Sequence, residues 1–285
     1  MRTAEPRPRS GETLDTFYRG RVLVLQKSRG YRFSVDAPLL ADFIRTRRTD
    51  DILEVGTGSG IIPLLLGRRA FRRITAIEVQ KGLAALARRN IALNGLEDRI
   101  KVVRADYRTY HPAGKFDLVI SNPPYIPKAG GYLSGVPERA VAKHELRGAI
   151  RDLMRKTAEW LRPGGRACLV FPERRREDLL EAAKANGLLA RRWRSVLARA
   201  GEPPNLILAE LGLARGAGGG GGGRADEPGQ GGAATRSERV RAVPSGRRAA
   251  VRTGSHVEVM PPLILFKRSG GYTPEAEAIL SGRRR

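Results

Sequence analysis

Residues 51–60 read DILEVGTGSG: a short strand-like run, Asp51 to Val55, followed by Gly56, Gly58 and Gly60 at alternate positions. Glycine lets the chain turn sharply and lets a ligand come close to the backbone. The segment after it, Gly60 to Arg69, carries an apolar pattern that suits a helix. A strand, a glycine loop and a helix together form the opening unit of a parallel α/β sheet. Working outward, further strand-like runs occupy Ile74–Glu78, Ile100–Arg104, Phe116–Ser121 and Gly165–Phe171. Between them, Gln80–Asn94, Arg147–Leu161 and Glu173–Asn186 place apolar residues at three- and four-residue spacing. This alternation predicts an α/β, Rossmann-like fold, a mostly parallel sheet with helices on both faces. Arg191–Ala198 and Asn205–Leu213 follow with no helix between them, which predicts an antiparallel hairpin at the sheet edge.

The 285 residues accommodate one large domain with a substantial core. Residues 1–12 are polar and proline-containing and read as a disordered lead; 13–214 form the domain. Residues 215–254 have the Gly- and Arg-rich composition of a flexible insertion, and 255–285 return as a C-terminal strand and tail that complete the domain. No repeat of domain-building length is visible. The chain carries 53 basic against 29 acidic residues, a formal charge of +24, and only nine of the cations are lysine. Such a balance points to a polyanionic partner such as nucleic acid, although an arginine skew also fits a GC-rich genome. The insertion holds eight basic and three acidic residues, so most of the excess lies elsewhere.

Other classes are disfavoured. No apolar run reaches the 18 or so residues of a membrane-spanning helix, and the first ten residues lack a signal-peptide core, so a cytoplasmic protein is expected. A single cysteine, Cys168, forbids an internal disulfide, and His111, His144 and His256 are too dispersed to suggest a metal site. Cys168 reads as an inert buried thiol and His144 as a structural residue, since a lone histidine needs a placed partner to be catalytic.

Glu54 directly precedes the glycines, giving E-x-G-x-G-x-G. The spacing differs from the GxGxxG of dinucleotide sites, and no Gly-Lys-Ser/Thr provides a phosphate clamp. An acidic loop entrance favours a ligand with sulfonium and ammonium charges, as in S-adenosylmethionine (SAM). Glu78 ends the second strand, 22 residues after Gly56, where a carboxylate accepts from ribose hydroxyls. Asp106, after the third strand, is placed for an adenine amine. The competing reading is an ordinary tight turn followed by solvated turn acids; the ordered set of three carboxylates argues for the site.

The fourth strand closes in Ser121-Asn122-Pro123-Pro124-Tyr125, a sequence that neither continues a strand nor starts a helix readily. A planar amine or amide nitrogen is a poor nucleophile because its lone pair is delocalised. Acceptors on its two hydrogens, the Asn122 side-chain oxygen and the Pro123 carbonyl, favour a more electron-rich form, while Tyr125 stacks on the planar group and Pro124 stiffens the loop. Positioning then supplies most of the rate, and no strong general base is needed.

With these residues the chain resembles class I SAM-dependent methyltransferases of the NPPY group. Four further segments are similar to the bacterial tRNA adenine-N6 methyltransferases that modify the adenosine beside the anticodon of a valine tRNA. These are GYRFSVDAPLLADF (30–43), IEVQKGLAALARRNIALNGLEDRI (77–100), RAVAKHE (139–145) and PPLILFKRSGGYTPEA (261–276). The resemblance spans roughly 13–213 and 256–280. It implies seven strands with the last antiparallel, a Gly30–Asp36 segment whose Phe33 and Asp36 close over the methionine end of SAM, and Asn122 to Tyr125 as the holder of the target base. It implies RNA, most naturally tRNA, as partner, and a monomer is the simpler expectation. Tyr31 and Phe33 also read as core aromatics. Protein glutamine methylation is the main rival chemistry, but by resemblance it needs a helical domain before the glycine loop, and only about 50 residues precede Glu54. DNA adenine, ribosomal guanine and a non-catalytic RNA-binding module are the remaining alternatives.

Overall fold

A computed structural model describes residues 8–29, 32–123, 136–213 and 257–283, with 136–147 described by their backbone alone. Expectations for the insertion, for Gly30 and Tyr31, for Pro124 and Tyr125, and for the side chain of His144 lie outside the described residues. β3 (Asp51–Val55) is buried along its whole length at the centre of the sheet. β4 (Arg73–Glu78) and β5 (Ile100–Arg104) extend the sheet to one side of it, and β6 (Phe116–Ser121) and β7 (Leu161–Pro172) to the other, all parallel. β9 (Leu206–Leu213) then inserts antiparallel between β7 and β8 (Leu188–Leu197). These are the seven expected strands with the last reversed. The β8–β9 pair is not the sheet's outer rim, however. Two two-residue strands, β10 (Glu258–Val259) and β11 (Leu263–Ile264), run parallel along the free edge of β8, giving nine strands in this sheet among the described residues. The single C-terminal strand expected from sequence is thus two fragments, because Pro261 and Pro262 between them have no N–H to give to a ladder.

Side-chain alternation divides the core. Ile52, Ile74, Leu118, Ile120, Cys168 and Val170 face one layer, built by α1 (Asp36–Phe43), α2 (Ile61–Leu66), α3 (Lys81–Leu93) and α6 (Pro274–Leu280). Leu53, Val55, Ile77, Val119, Leu169 and Phe171 face the other, built by α4 (Val136–Trp160) and α5 (Arg176–Lys184). Strands buried on both faces carry nearly continuous apolar runs, which is why β3, β4, β6 and β7 are readable in the sequence, while the edge strand β5 is read from its alternation. α4 starts well before the expected Arg147.

One element was not expected. β1 (Glu12–Phe17) and β2 (Val22–Lys27) form a separate antiparallel hairpin that packs on α3. Its turn holds Tyr18 and Arg19 in the left-handed region, φ 52° and 58°. Gly282 packs against the Tyr18 ring so closely that a Cβ there would collide with it.

Candidate functional site

Register alone gathers the sequence-expected residues. Val55 pairs with Ile77 on one side and Ser121 on the other, and Glu78 pairs with Arg104. Gly56, Glu78, Asp106 and Asn122 therefore leave the carboxyl ends of four adjacent strands. The chain runs from β3 outward through β4 and β5, then restarts on the opposite side of β3 with β6. The β3/β6 boundary is the switch point of the sheet, where such folds open a ligand crevice. The Ser121 hydroxyl donates to the Val55 carbonyl at 3.1 Å and ties the two strand ends together.

The glycine loop is held by backbone. The N–H groups of Gly56 and Thr57 both donate to the Ile77 carbonyl at 2.9 and 3.0 Å, and the Gly60 N–H donates to the Thr57 carbonyl at 2.9 Å. Gly56, Gly58 and Gly60 have φ of 74°, 59° and 85°, the left-handed conformation that explains glycine at each alternate position. At Gly56 a Cβ would meet nothing within 4 Å, so the conformation and the open space beside it, and no packing neighbour, define the requirement.

Glu54 lies beneath this loop and is 2% exposed. Burial pushes its carboxyl up to about 8; the adjacent Thr57 hydroxyl offsets part of this, and the charge of Glu78 adds to it. The Glu54 carboxyl and the Thr57 hydroxyl have only each other, and Ser59 Oγ is sealed from solvent without a hydrogen-bond partner. Buried polar atoms are normally satisfied, so this under-satisfied group around one loop marks a place where a polar ligand completes the structure. The loop supplies a carboxyl, hydroxyls and open backbone but no Lys or Arg, a set that suits the cationic methionine end of SAM and offers nothing to a phosphate.

Glu78 is 5% exposed and braces the loop: Oε2 accepts from the Gly58 N–H at 3.0 Å and Oε1 from the Gln80 N–H at 2.8 Å. Each oxygen keeps a lone pair available to a hydroxyl. Asp106 is forked by the Arg108 guanidinium, with Nε at 3.0 and 3.1 Å and Nη2 at 2.5 Å, and also accepts from the Arg108 N–H. The Arg108 side chain is 65% exposed, so this pair is a weak, screened one that can swing away. Asn122 and Pro123 are half-buried at the end of β6. The Phe33 ring is tilted against Phe17 at 5.0 Å and packs with it on the α1-side core. Asp36 opens α1, its carboxyl raised by burial and opposed by a hydrogen bond from Ser34.

Sequence reasoning passed over Thr57, Ser59 and Asn90. Asn90 is wholly buried on α3 and donates to the Ser59 carbonyl at 2.9 Å, supporting the loop from below. A buried amide on a helix face otherwise made of alanine and leucine was the available signal, since such a group must have partners. Burial raises the Cys168 thiol and leaves it unreactive. Among the described residues there is no group of three or more His, Cys, Asp or Glu able to hold a metal, and no helix long and apolar enough to cross a membrane.

A mostly parallel sheet with one reversed strand, opening at its switch point onto an acidic glycine loop, is the arrangement of a class I SAM-dependent methyltransferase, with SAM as its cofactor. The chain belongs to the methyltransferase small domain family, whose model matches residues 32–183. Over 182 residues it is 34% identical to the tRNA1(Val) (adenine(37)-N6)-methyltransferase of Tolumonas auensis, covering 63% of this chain and 76% of that one. It is 32% identical to the protein of the same name from Parabacteroides distasonis with the same coverage. Among solved structures, an Agrobacterium tumefaciens protein described as a predicted O-methyltransferase superposes with a TM-score of 0.56 at 19% identity, over 87% of this chain and 96% of that one. A methyltransferase of Pyrococcus furiosus does so with a TM-score of 0.50 at 18% identity, over 67% and 88%. These structural likenesses concern the fold.

Proposed function

We propose that the protein transfers the methyl group of SAM to N6 of an adenine in tRNA, the adenosine next to the anticodon of a valine tRNA, in the cytoplasm. The observation that carries this reading is the placement of Asn122 and Pro123 beside the glycine loop across the β3/β6 switch point. The names of the relatives supply the substrate, and the +24 charge suits a polyanion. Residues 13–214 and 255–285 make up the methyltransferase domain in this reading, with 215–254 an insertion in it.

Glu54, Gly56, Gly58 and Gly60 would hold the methionine part of the cofactor, with Phe33 and Asp36 closing over it; Glu78 would accept from the ribose hydroxyls and Asp106 from the adenine amine. The cofactor supplies an electrophilic methyl group. The Asn122 side-chain oxygen and the Pro123 carbonyl would accept from the two hydrogens of the target amine and aim its nitrogen along the line of attack; the stacking of the base on Tyr125 and the stiffening by Pro124 remain what the NPPY motif implies. As the N–C bond forms the sulfur–methyl bond would break, the remainder of the cofactor leaving as a neutral thioether, and the nitrogen would shed one proton past this acceptor pair to solvent, so the site needs precise placement and no strong base.

The test is incubation with tritiated SAM and, separately, total tRNA, ribosomal RNA, duplex DNA and a protein lysate, followed by nucleoside analysis. Label recovered as N6-methyladenosine from tRNA is expected; label in protein, or as methylguanosine from ribosomal RNA, overturns the substrate. Asn122→Ala is expected to lower turnover by roughly 10² or more, the scale of one preorganised polar contact, with SAM affinity unchanged.

A further inference from the structure

The chain leaves β11 in parallel with β8 and continues past the end of the sheet, with the N–H groups of Leu265 and Phe266 donating to the carbonyls of Leu197 and Ala198 at 2.9 Å. It then reverses within five residues. The Lys267 N–H donates to the Gly271 carbonyl at 2.9 Å, Phe266 bridges Tyr272, and the Thr273 N–H returns to the Leu265 carbonyl at 2.8 Å. Gly270 and Gly271 supply the left-handed φ of 91° and 72° that the tip requires. Thr273 clamps the base, its hydroxyl accepting from the Ala276 N–H at the start of α6 and donating to the Ile264 carbonyl at 2.6 Å. The result is a short hairpin with a firm base and an exposed tip.

Its surface is unusual for a turn. The Phe266 and Tyr272 rings are stacked at 5.1 Å with 21° between their planes; Phe266 packs on the core, whereas Tyr272 is 39% exposed. Lys267 and Arg268 project from the tip, exposed and without an ion-pair partner among the described residues. The Arg199 guanidinium sits 5.9 Å from the Phe266 ring; its contact with Glu202, at 3.5 Å between two exposed side chains, is a screened one. Because β11 is parallel to β8, the tip lies at the same end of the sheet as Asn122. Four strand spacings separate β11 from β6, about 19 Å.

We propose that the Phe266–Tyr272 hairpin is an RNA-docking element, in which Tyr272 stacks on an unpaired base of the loop that carries the target nucleotide while Lys267 and Arg268 hold its phosphates. An exposed ring fixed by a second ring is a preorganised stacking platform, and cations beside it follow the backbone of a single strand. The inference rests on the tRNA reading above and adds where, away from the catalytic crevice, the substrate is gripped.

The test uses the full chain, a fluorescent RNA stem-loop with a seven-base loop, and total tRNA as methyl acceptor. Tyr272→Ala is expected to raise both the stem-loop Kd and the tRNA KM about tenfold, within the range for losing one base–aromatic stack, with SAM affinity and kcat at saturating tRNA unchanged. Tyr272→Phe, which keeps the ring, should behave as wild type. Lys267→Ser combined with Arg268→Ser should lower the salt slope of stem-loop binding by about 0.7 per cation, and this exposed pair decides the matter if Tyr272→Ala does not fold. Wild-type binding and methylation in every variant would overturn the docking role alone and leave the hairpin to some other macromolecule. A wild-type protein that neither binds the stem-loop nor labels tRNA would overturn the substrate reading together with it.

Discussion

Glu54 is a carboxyl group placed where water does not reach, beneath a loop in which the Ser59 hydroxyl is likewise buried without a partner. With burial raising it to about 8, it is mostly protonated in the free protein at pH 7. A sulfonium and an ammonium arriving at this loop favour the ionised form, so SAM binding at pH 7 is expected to release a proton, with affinity climbing as pH rises through about 8. The sign for stability is opposite. A carboxyl whose folded value is raised stabilises the fold fully below its ordinary 4.5, and that contribution is lost as pH rises through about 8. Calorimetric titration with SAM at pH 7 in phosphate and in Tris checks the first statement, because released protons give heats that depend on the buffer. Glu54→Gln is expected to remove that dependence and, in thermal melts from pH 5 to 9, to flatten the difference in stability. Equal wild-type heats in both buffers would mean that Glu54 does not meet the cofactor's charge.

At the scale of elements, α3 acts as a surrogate strand. Asn90 and Asn94, one turn apart, offer their amides to the free edge of β2: Asn90 Oδ1 accepts from the Leu25 N–H at 2.7 Å and Nδ2 donates to the Leu25 carbonyl at 2.9 Å, and Asn94 repeats the pattern on Leu23 at 3.0 and 2.7 Å. Only Asn90 also reaches the Ser59 carbonyl. Asn90→Ala strands buried backbone groups at about 1–3 kcal/mol each and Asn94→Ala half-buried ones at a smaller cost, so both variants should melt earlier than wild type. Asn90→Ala should weaken SAM binding further than Asn94→Ala does, and equal affinities in the two would sever the link between hairpin and loop. The same contacts show why the β1–β2 hairpin escapes a reading of sequence. ETLDTF has little apolar content, and what stabilises it lies on α3 and in the Phe17–Phe33 contact, outside any local window. β3, β4, β6 and β7 were legible because burial on both faces writes itself as apolar runs, and β5 because its one buried face alternates with an exposed one; the acids at their ends follow from where those runs stop. The Arg108 fork on Asp106 was not, since a residue two positions along gives no sign of which way it turns.

At the scale of the whole molecule, two charge environments stand out among the described residues. At the amino ends of the strands, arginines are knitted to acids: Arg166 to Asp50 in a pair almost wholly buried, Arg72, Arg73 and Arg162 to the buried Asp51, and Arg162 also to Asp117. Burial alone would raise the Asp51 carboxyl, but its guanidinium partners hold it below the usual range. The Arg166–Asp50 pair is sealed and little screened by salt, and removing one partner from such a pair typically costs about 3–5 kcal/mol, whereas the guanidinium groups around Asp51 are open to solvent and their pairs are weaker. At the carboxyl ends, Arg104, Arg174, Lys267 and Arg268 are exposed and have no ion-pair partner among the described residues. Salt should therefore act on substrate capture far more than on the fold or on the cofactor. If these four cations each neutralise one phosphate, the slope of log affinity on log salt is about −3, and raising salt from about 50 to 200 mM weakens tRNA binding roughly 50- to 150-fold. Over the same interval the melting temperature and the SAM Kd should barely move, since neither depends on exposed cations. Titrations of tRNA and of SAM at four salt concentrations measure both slopes. A flat tRNA slope would show that the positive rim does not carry the substrate, and a steep SAM slope would show that the acidic loop is open to bulk ions when its ligand is absent.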